Sequence, residues 1–406
     1  MASGRSRCSD RPMTWPHPYL IISVDDHLVE PPNTFRGNAA SRWKDQMPAM
    51  TTLGHGGFGW QYEGAAYQTY GIEAVAGRPQ DKWTILSQPF EELEPAYFDP
   101  DARAAAMDTD GVWASVCFPS MWCGFAGRVF QTSRDRALGL ECIRAYNRWF
   151  LDEWVGRQPQ RFVPMQLPWI VDPDVGAAEI RRNAELGFTA VSFVDQPQNL
   201  GFPHISDPYW DPILRACEET GTVVCLHCGS GGWTLTPKGK EADLNVAASL
   251  FQGSAMVVAA DWLWAGVPVR FPELKISLSE GGLGWVAMML ERLNYVVDHS
   301  AGLAPNPYRG ADVTPFEALL RNFWFCTIHD RVAMGQRDLI GVANIMVETD
   351  YPHTDSQFPH TQNFFDGFFA GVPGTEVESM THGNAATLFR HPLPSHVALA
   401  SAVESG

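Results

Sequence analysis

Eight short, almost wholly apolar runs recur along the chain, and segments with helical spacing lie between most of them. The runs are residues 20–24 (LIISV), 111–118 (GVWASVCF), 162–167 (FVPMQL), 188–194 (FTAVSFV), 222–226 (TVVCL), 274–278 (LKISL), 323–327 (FWFCT) and 344–347 (NIMV). Strands apolar on both faces belong in a parallel sheet covered by helices on each side. Leu138, Cys142, Tyr146, Trp149 and Phe150 recur at three- and four-residue steps within 135–154. Segments 177–186, 211–219 and 284–297 read as helices too, and Gly187 and Gly221 stop two of them just before the next run. Eight such alternations in about 330 residues predict an α/β fold, a distorted (β/α)8 TIM barrel. An open doubly wound sheet is the competing architecture, but no GxGxxG follows the first run.

Two stretches exceed a bare barrel. Residues 31–100 separate the first two runs, and their Gly-aromatic stretch LGHGGFGWQYEGAAYQTYG suggests a small hairpin-containing insertion over one end of the barrel. Residues 233–270 extend the fifth unit with a long helix rich in Ala, Val and Trp. The domain reading is an N-terminal extension (1–18), one metal-dependent barrel domain (19–391, with 31–100 as its insertion or lid) and a C-terminal tail (392–406).

Composition narrows the partners. The 406 residues carry 29 Lys+Arg against 46 Asp+Glu, a formal charge of −17, which opposes binding to a phosphate backbone. No nucleic-acid partner is expected. No uninterrupted apolar run reaches the length of a membrane span, and no secretory h-region precedes the first strand, so no membrane partner is expected. Eight scattered cysteines are too few for a disulfide scaffold, which points to a soluble protein of the reducing cytoplasm. Cys225 and Cys228 form one CxxC with no second pair to complete a zinc site, so they are expected to pack as thiols.

The ends of the runs carry the chemistry. Asp25 and His27 end the first (SVDDHLVEP), His227 the fifth (CLHCGSGG), Glu280 the sixth (SLSEGG) and Asp350 the eighth (VETDYPH). In a barrel those ends converge on one mouth. Carboxylate oxygen and imidazole nitrogen suit Zn²⁺, Mn²⁺ or Fe²⁺, and the two-residue pleat turns Asp25 and His27 to one side with Asp26 on the other. Further candidates for substrate or a second metal are His353 and His329 on the loops after the eighth and seventh runs, His55 in the insertion, and Trp122 on the loop after the second run. Phe125, Trp233 and Phe358 lie on loops expected to wall the pocket.

DDHLVEP, the His of LHCGSGG, SEGGLGW, ETDYPHTD and THGNAATLF, with MDTDGV and AYNRWFLDEW, resemble the amidohydrolase-related family of the amidohydrolase superfamily. The likeness runs from about residue 20 to 391 and points to the branch that contains aminocarboxymuconate-semialdehyde decarboxylase and aromatic-acid decarboxylases. It implies one catalytic divalent metal, Zn or Mn, with Asp25, His27, His227 and Asp350 as ligands. It also implies an oligomer, a homo-oligomer or a hetero-oligomer. In one position the sequence departs from that branch: Glu280 stands where it carries a His. A carboxylate there transfers protons or binds a second metal.

The function expected is therefore a hydrolase or non-oxidative decarboxylase of a small carboxylated organic substrate. The sequence also resembles the 2-aminoisobutyrate hydroxylase type of oxygenase. That resemblance implies a monooxygenase with two Fe, Glu280 then being a ligand. A non-catalytic subunit of a hetero-oligomer is the third reading.

Overall fold

A computed structural model describes residues 15–235, 244–300 and 305–395. Residues 1–14 and 396–406, within the expected extension and tail, lie outside it. Strand β1 (Ile21–His27) pairs in parallel with β5 (Val112–Phe118), across an intervening antiparallel sheet of β2 (Ala49–Thr52), β3 (Phe58–Tyr62) and β4 (Ala65–Gln68). The remaining strands are β6 (Met165–Gln166), β7 (Ala190–Phe193), β8 (Val223–His227), β9 (Ile276–Ser279), β10 (Phe323–Thr327) and β11 (Ile345–Val347). They form one six-stranded parallel sheet in sequence order.

The two parallel pieces do not share one continuous ladder. A single bridge, Ser115 to Phe162, links β5 toward β6. On the other side the Asp350 N–H donates to the Asp25 carbonyl at 2.9 Å, and the His27 N–H to the Tyr351 carbonyl at 2.7 Å. Strand β6 is short because Pro164 and Pro168 flank it and bring no N–H to a ladder.

Side chains of alternate parity separate into two cores. Ile22, Val24, Ala114, Val116, Met165, Ala190, Cys225, Cys326 and Met346 pack together in one core. Their neighbours Ile21, Val191, Val224, Ile276, Phe325 and Val347 turn outward under the helices. Cys225 and Cys326 are thus packing groups, and all seven described cysteines are buried and unpaired.

Local signals set the helices. Asp99, Asp135 and Asp172 each accept two backbone N–H bonds at the starts of Pro100–Asp110, Arg136–Trp149 and Pro173–Glu185. Gly221, at φ 62°, ends Asp211–Thr220 one residue before the next apolar run. The helix expected over 135–154 continues past Trp149 as a π-helical stretch, Phe150–Val155. The long helix of the fifth unit is Leu244–Trp264, and by length and composition it is apolar enough to span a bilayer, unlike the sequence expectation. Polar residues such as Gln252 and Asp261 interrupt its run, which is why no unbroken apolar stretch marks it. Its Trp262 donates to the Asp195 carbonyl at 3.0 Å, and Asp261 meets His204 at 2.8 Å, so this face is docked on the domain.

Candidate metal centre

The C-terminal ends of β1, β8, β9 and β11 bring six acid or imidazole side chains to one buried place. His27 Nε2 lies 3.4 Å from Asp25 Oδ1 and 3.4 Å from Asp350 Oδ1. His227 Nε2 lies 3.6 Å from Asp25 Oδ2, 3.3 Å from Glu280 Oε2 and 3.2 Å from His27 Nε2. His353 Nδ1 is 3.1 Å from Asp350 Oδ1, and its ring stacks on that of His27 at 3.7 Å. Ligand atoms of Asp25, His27 and His227 fall within 4.8 Å of one another, as do those of His27, Asp350 and His353.

Asp26, between the two β1 residues, faces away. It accepts from Ser23, Thr349 and the Tyr351 N–H at 3.0, 2.6 and 3.0 Å, and from the Ser115 hydroxyl. Below it, the fully buried Arg103 donates to the His27 carbonyl and lies 4.5 Å over the Tyr351 ring. Glu280 and Asp350 both adopt left-handed backbone, φ 51° and 46°, which non-glycine residues rarely hold without a compensating constraint.

The donors fit a cation. Both Asp25 oxygens, Asp350 Oδ1 and His353 Nε2 are buried without a hydrogen-bond partner. The His227 Nδ1 sits 2.8 Å from the Cys228 carbonyl, which assigns its proton there and leaves Nε2 as a lone pair toward the cluster. Burial holds His227 at about 3, and burial with His353 and His227 nearby holds His27 well below its usual value, so both rings are neutral. Burial, then the neighbouring carboxylates, pushes Asp25 well up; burial and then Asp350 do the same to Glu280. Several carboxylates and neutral imidazoles in a dry site are unfavourable together unless a cation compensates them.

A cavity of about 490 Å³ opens onto the cluster, with Glu280, Asp350 and His353 in its wall. Phe125 and Trp233 line it, as the loop reading expects, and Phe125 stacks on His227 at 4.0 Å. Tyr70, Ile72 and Glu73 reach it from the segment after β4, and burial pushes Glu73 up to about 7.

Four residues singled out from sequence lie elsewhere. His55 is exposed at the turn before β3, 3.2 Å from Ser87 Oγ. His329 is exposed after β10, beside Gln357 and the Phe364 ring. Trp122 is core: it stacks on Trp60 at 4.8 Å and donates to Glu30 at 3.1 Å. Phe358 packs on Tyr351 away from the cavity.

Of the cavity and cluster residues not anticipated, which include Tyr70, Ile72 and Glu73, two carry charge close to the site's chemistry. Glu348 is buried, accepts the Glu280 N–H at 3.2 Å, and is pushed well up by burial and then Glu280. Its place directly after the eighth apolar run, as the first polar residue there, is the signal that would have found it. Arg128 lines the cavity on a loop whose path no periodicity specifies.

The family model described as amidohydrolase matches residues 27–391. A gamma-resorcylate decarboxylase of Polaromonas sp. (strain JS666 / ATCC BAA-500) is 24% identical over 339 residues, 77% of this chain and 92% of that protein. Among solved structures, an amidohydrolase from Mycobacterium avium subsp. paratuberculosis K-10 superposes with a TM-score of 0.68 at 20% identity, covering 92% of this chain and 99% of that one. A dihydroxybenzoic acid decarboxylase from Polaromonas sp. JS666, with bound manganese and 2-nitroresorcinol, gives 0.60 at 18% identity, covering 91% and 96%. These relatives favour the hydrolase and decarboxylase reading over the iron oxygenase.

Proposed function

The chain belongs to the amidohydrolase family, and from that premise we propose that it is a metal-dependent non-oxidative decarboxylase, or a hydrolase, of a small carboxylated aromatic acid. The observation that carries this reading is the convergence of Asp25, His27, His227 and Asp350, with buried unpartnered carboxylate oxygens, beside a cavity that Asp350 helps to line. These four would hold one divalent metal, Zn or Mn. Bound there, the metal supplies Lewis acidity toward a substrate oxygen or a water.

The chain's own residues do the rest. The Cys228 carbonyl fixes the His227 tautomer, and Arg103 fixes the backbone at His27. Phe125 and Trp233 give the cavity flat apolar walls that exclude water and orient a ring. Glu280, facing both His227 and the cavity, takes the place of the branch's strand-six His and carries the proton. In decarboxylation the C–C bond to the carboxylate breaks and CO₂ leaves. The electron pair left on carbon takes the proton of the Glu280 carboxyl, which becomes carboxylate.

On the same reading residues 19–391 form one distorted (β/α)8 barrel, and the chain works in the cytoplasm as a homo-oligomer. The two cores of opposite parity support the barrel and the buried free thiols support the cytoplasm, while the oligomer, with a hetero-oligomer as its alternative, rests on the family likeness. The test is metal content per chain of protein grown without metal bias, followed by CO₂ release from hydroxy- and methoxybenzoic acids. About one Zn or Mn per chain, with CO₂ release abolished in Asp25→Asn, is the expected result. Two irons per chain with O₂ consumption would transfer the site to oxygenase chemistry. No metal, or no turnover of any carboxylated aromatic, sinks the reading.

A further inference from the structure

The cavity is larger than one aromatic ring requires. It holds about 490 Å³, whereas roughly 150 Å³ encloses a benzene molecule. Cys228, Asp350 and His353 are buried at its inner end, beside the cluster. Its outer end is a different surface: Tyr70 and Ala248 are exposed, and Ile72, Ala247 and Phe251 are half-buried. None of these five carries a charge, and all but Tyr70 are wholly apolar.

Both walls of the outer end are held in place. Ile72 belongs to the turn Gly71–Glu73, whose Glu73 carboxylate accepts the Tyr70 N–H at 2.9 Å and the Met121 N–H at 2.7 Å. The Gly71 N–H donates to the Ile85 carbonyl at 2.9 Å. Opposite stands the helix Leu244–Trp264, on which Ala247 and Ala248 lie four and three residues before Phe251, so the three share a face. Two glycines let that helix come close. A Cβ on Gly253 would lie 2.8 Å from Leu235 Cδ2, and one on Gly282 would lie 2.3 Å from Gln252 Cδ. The Leu235 N–H then donates to Ser254 Oγ at 2.8 Å. Walls tied in this way do not collapse on each other, so their apolar surface stays wet until a ligand covers it.

We propose that Tyr70, Ile72, Ala247, Ala248 and Phe251 form a subsite for an apolar substituent of the substrate, carried on the side of the ring away from the reacting carboxylate. The preferred substrate is then an alkyl- or aryl-substituted aromatic acid, and Ala247 and Ala248 set the width of the substituent admitted. This rests on the function proposed above, with the carboxylate toward the Asp25–His27–His227 cluster and the ring between Phe125 and Trp233. The outer end is one space with the cavity, so its occupant enters with the substrate.

The test is calorimetric titration of the manganese-loaded full chain with benzoate and with the 3- and 4-substituted ethyl- and butylbenzoates. One of the two positional series should tighten by about 2- to 4-fold per methylene relative to benzoate, as apolar burial predicts. Ala248→Trp should erase that gain and leave benzoate affinity unchanged. Ile72→Ala, on the opposite wall, should reduce the gain, again without change for benzoate. Ala248 is exposed, so Ala248→Trp should melt at the wild-type temperature, which separates a filled subsite from a damaged fold. A gain with chain length that is absent in the wild type, or that survives in Ala248→Trp, overturns the proposal. So does an equal weakening of benzoate and butylbenzoate in both variants. Benzoate binding that fails to depend on metal removes the functional reading itself, and this inference with it. Metal-dependent benzoate binding without a chain-length effect removes only the subsite.

Discussion

The Nε2 atoms of His27 and His227 face each other at 3.2 Å, and the His227 proton is placed on the opposite side of its ring, toward the Cys228 carbonyl. Two imidazoles meeting edge-on at their Nε2 atoms, with Asp25 beside both, form a contact that a shared cation stabilises. Chelation should therefore lower the melting temperature, and Mn²⁺ or Zn²⁺ should restore it. Metal at a thousandfold above its Kd contributes about 4 kcal/mol. His227→Asn should erase the response, read by thermal melts with and without chelator. A melt indifferent to chelator would contradict the site.

Glu280→Gln preserves size and one acceptor while removing the proton carrier. The expected loss in kcat is about 10²- to 10⁴-fold, the usual contribution of a positioned acid or base, with metal content unchanged. Loss of metal in this variant would instead make Glu280 a ligand. Steady-state kinetics paired with metal analysis separates the two.

His55 and His329 are exposed and away from the cavity, so alanine at either should leave kcat/KM within about twofold. Trp122→Phe is different. It strips the Nε1 donor from buried Glu30, which keeps its bonds from Ser120. Denaturant unfolding should show a loss of about 1–3 kcal/mol with the metal site intact.

Asp110 supplies a pH signature away from the cluster. Burial raises it from 3.8 to about 6, against the lowering effect of hydrogen bonds from Thr361. The folded state therefore holds this proton more tightly than the unfolded chain. The stability it contributes is fully present below about pH 4 and lost as pH rises through about 6. Asp110→Asn should flatten the stability–pH curve across that window by at most about 3 kcal/mol. Urea titrations at pH 4, 5, 6 and 7 measure it.

The strands were readable because each is buried on both faces, which leaves an unbroken apolar run. That physics also made Asp25, His27, His227, Glu280 and Asp350 stand out, since each interrupts or ends such a run. The loops offered no comparable signal. Trp122 and Phe125 follow the same strand three residues apart, yet one enters the core and the other walls the cavity. Left-handed backbone at Phe125, φ 56°, with Gly124 and Gly127 on either side, decides the direction, and no pattern of hydrophobicity encodes it. Arg128 escaped for the same reason. The long fifth-unit helix was anticipated, but its bilayer-spanning apolarity was not, because polar residues break the apolar stretch.

The seam between the first and last strands has a temporal meaning. Asp25 and Asp350 are joined by backbone and by the Ser23–Asp26–Thr349 network across more than three hundred residues of sequence. A ribosome releases Asp25 and His27 first, and they must wait through nearly the whole of synthesis for Asp350. Until then the cluster lacks the carboxylate of Asp350. If the proposed metal site is right, its full set of ligands comes together only when the end of the chain has been made.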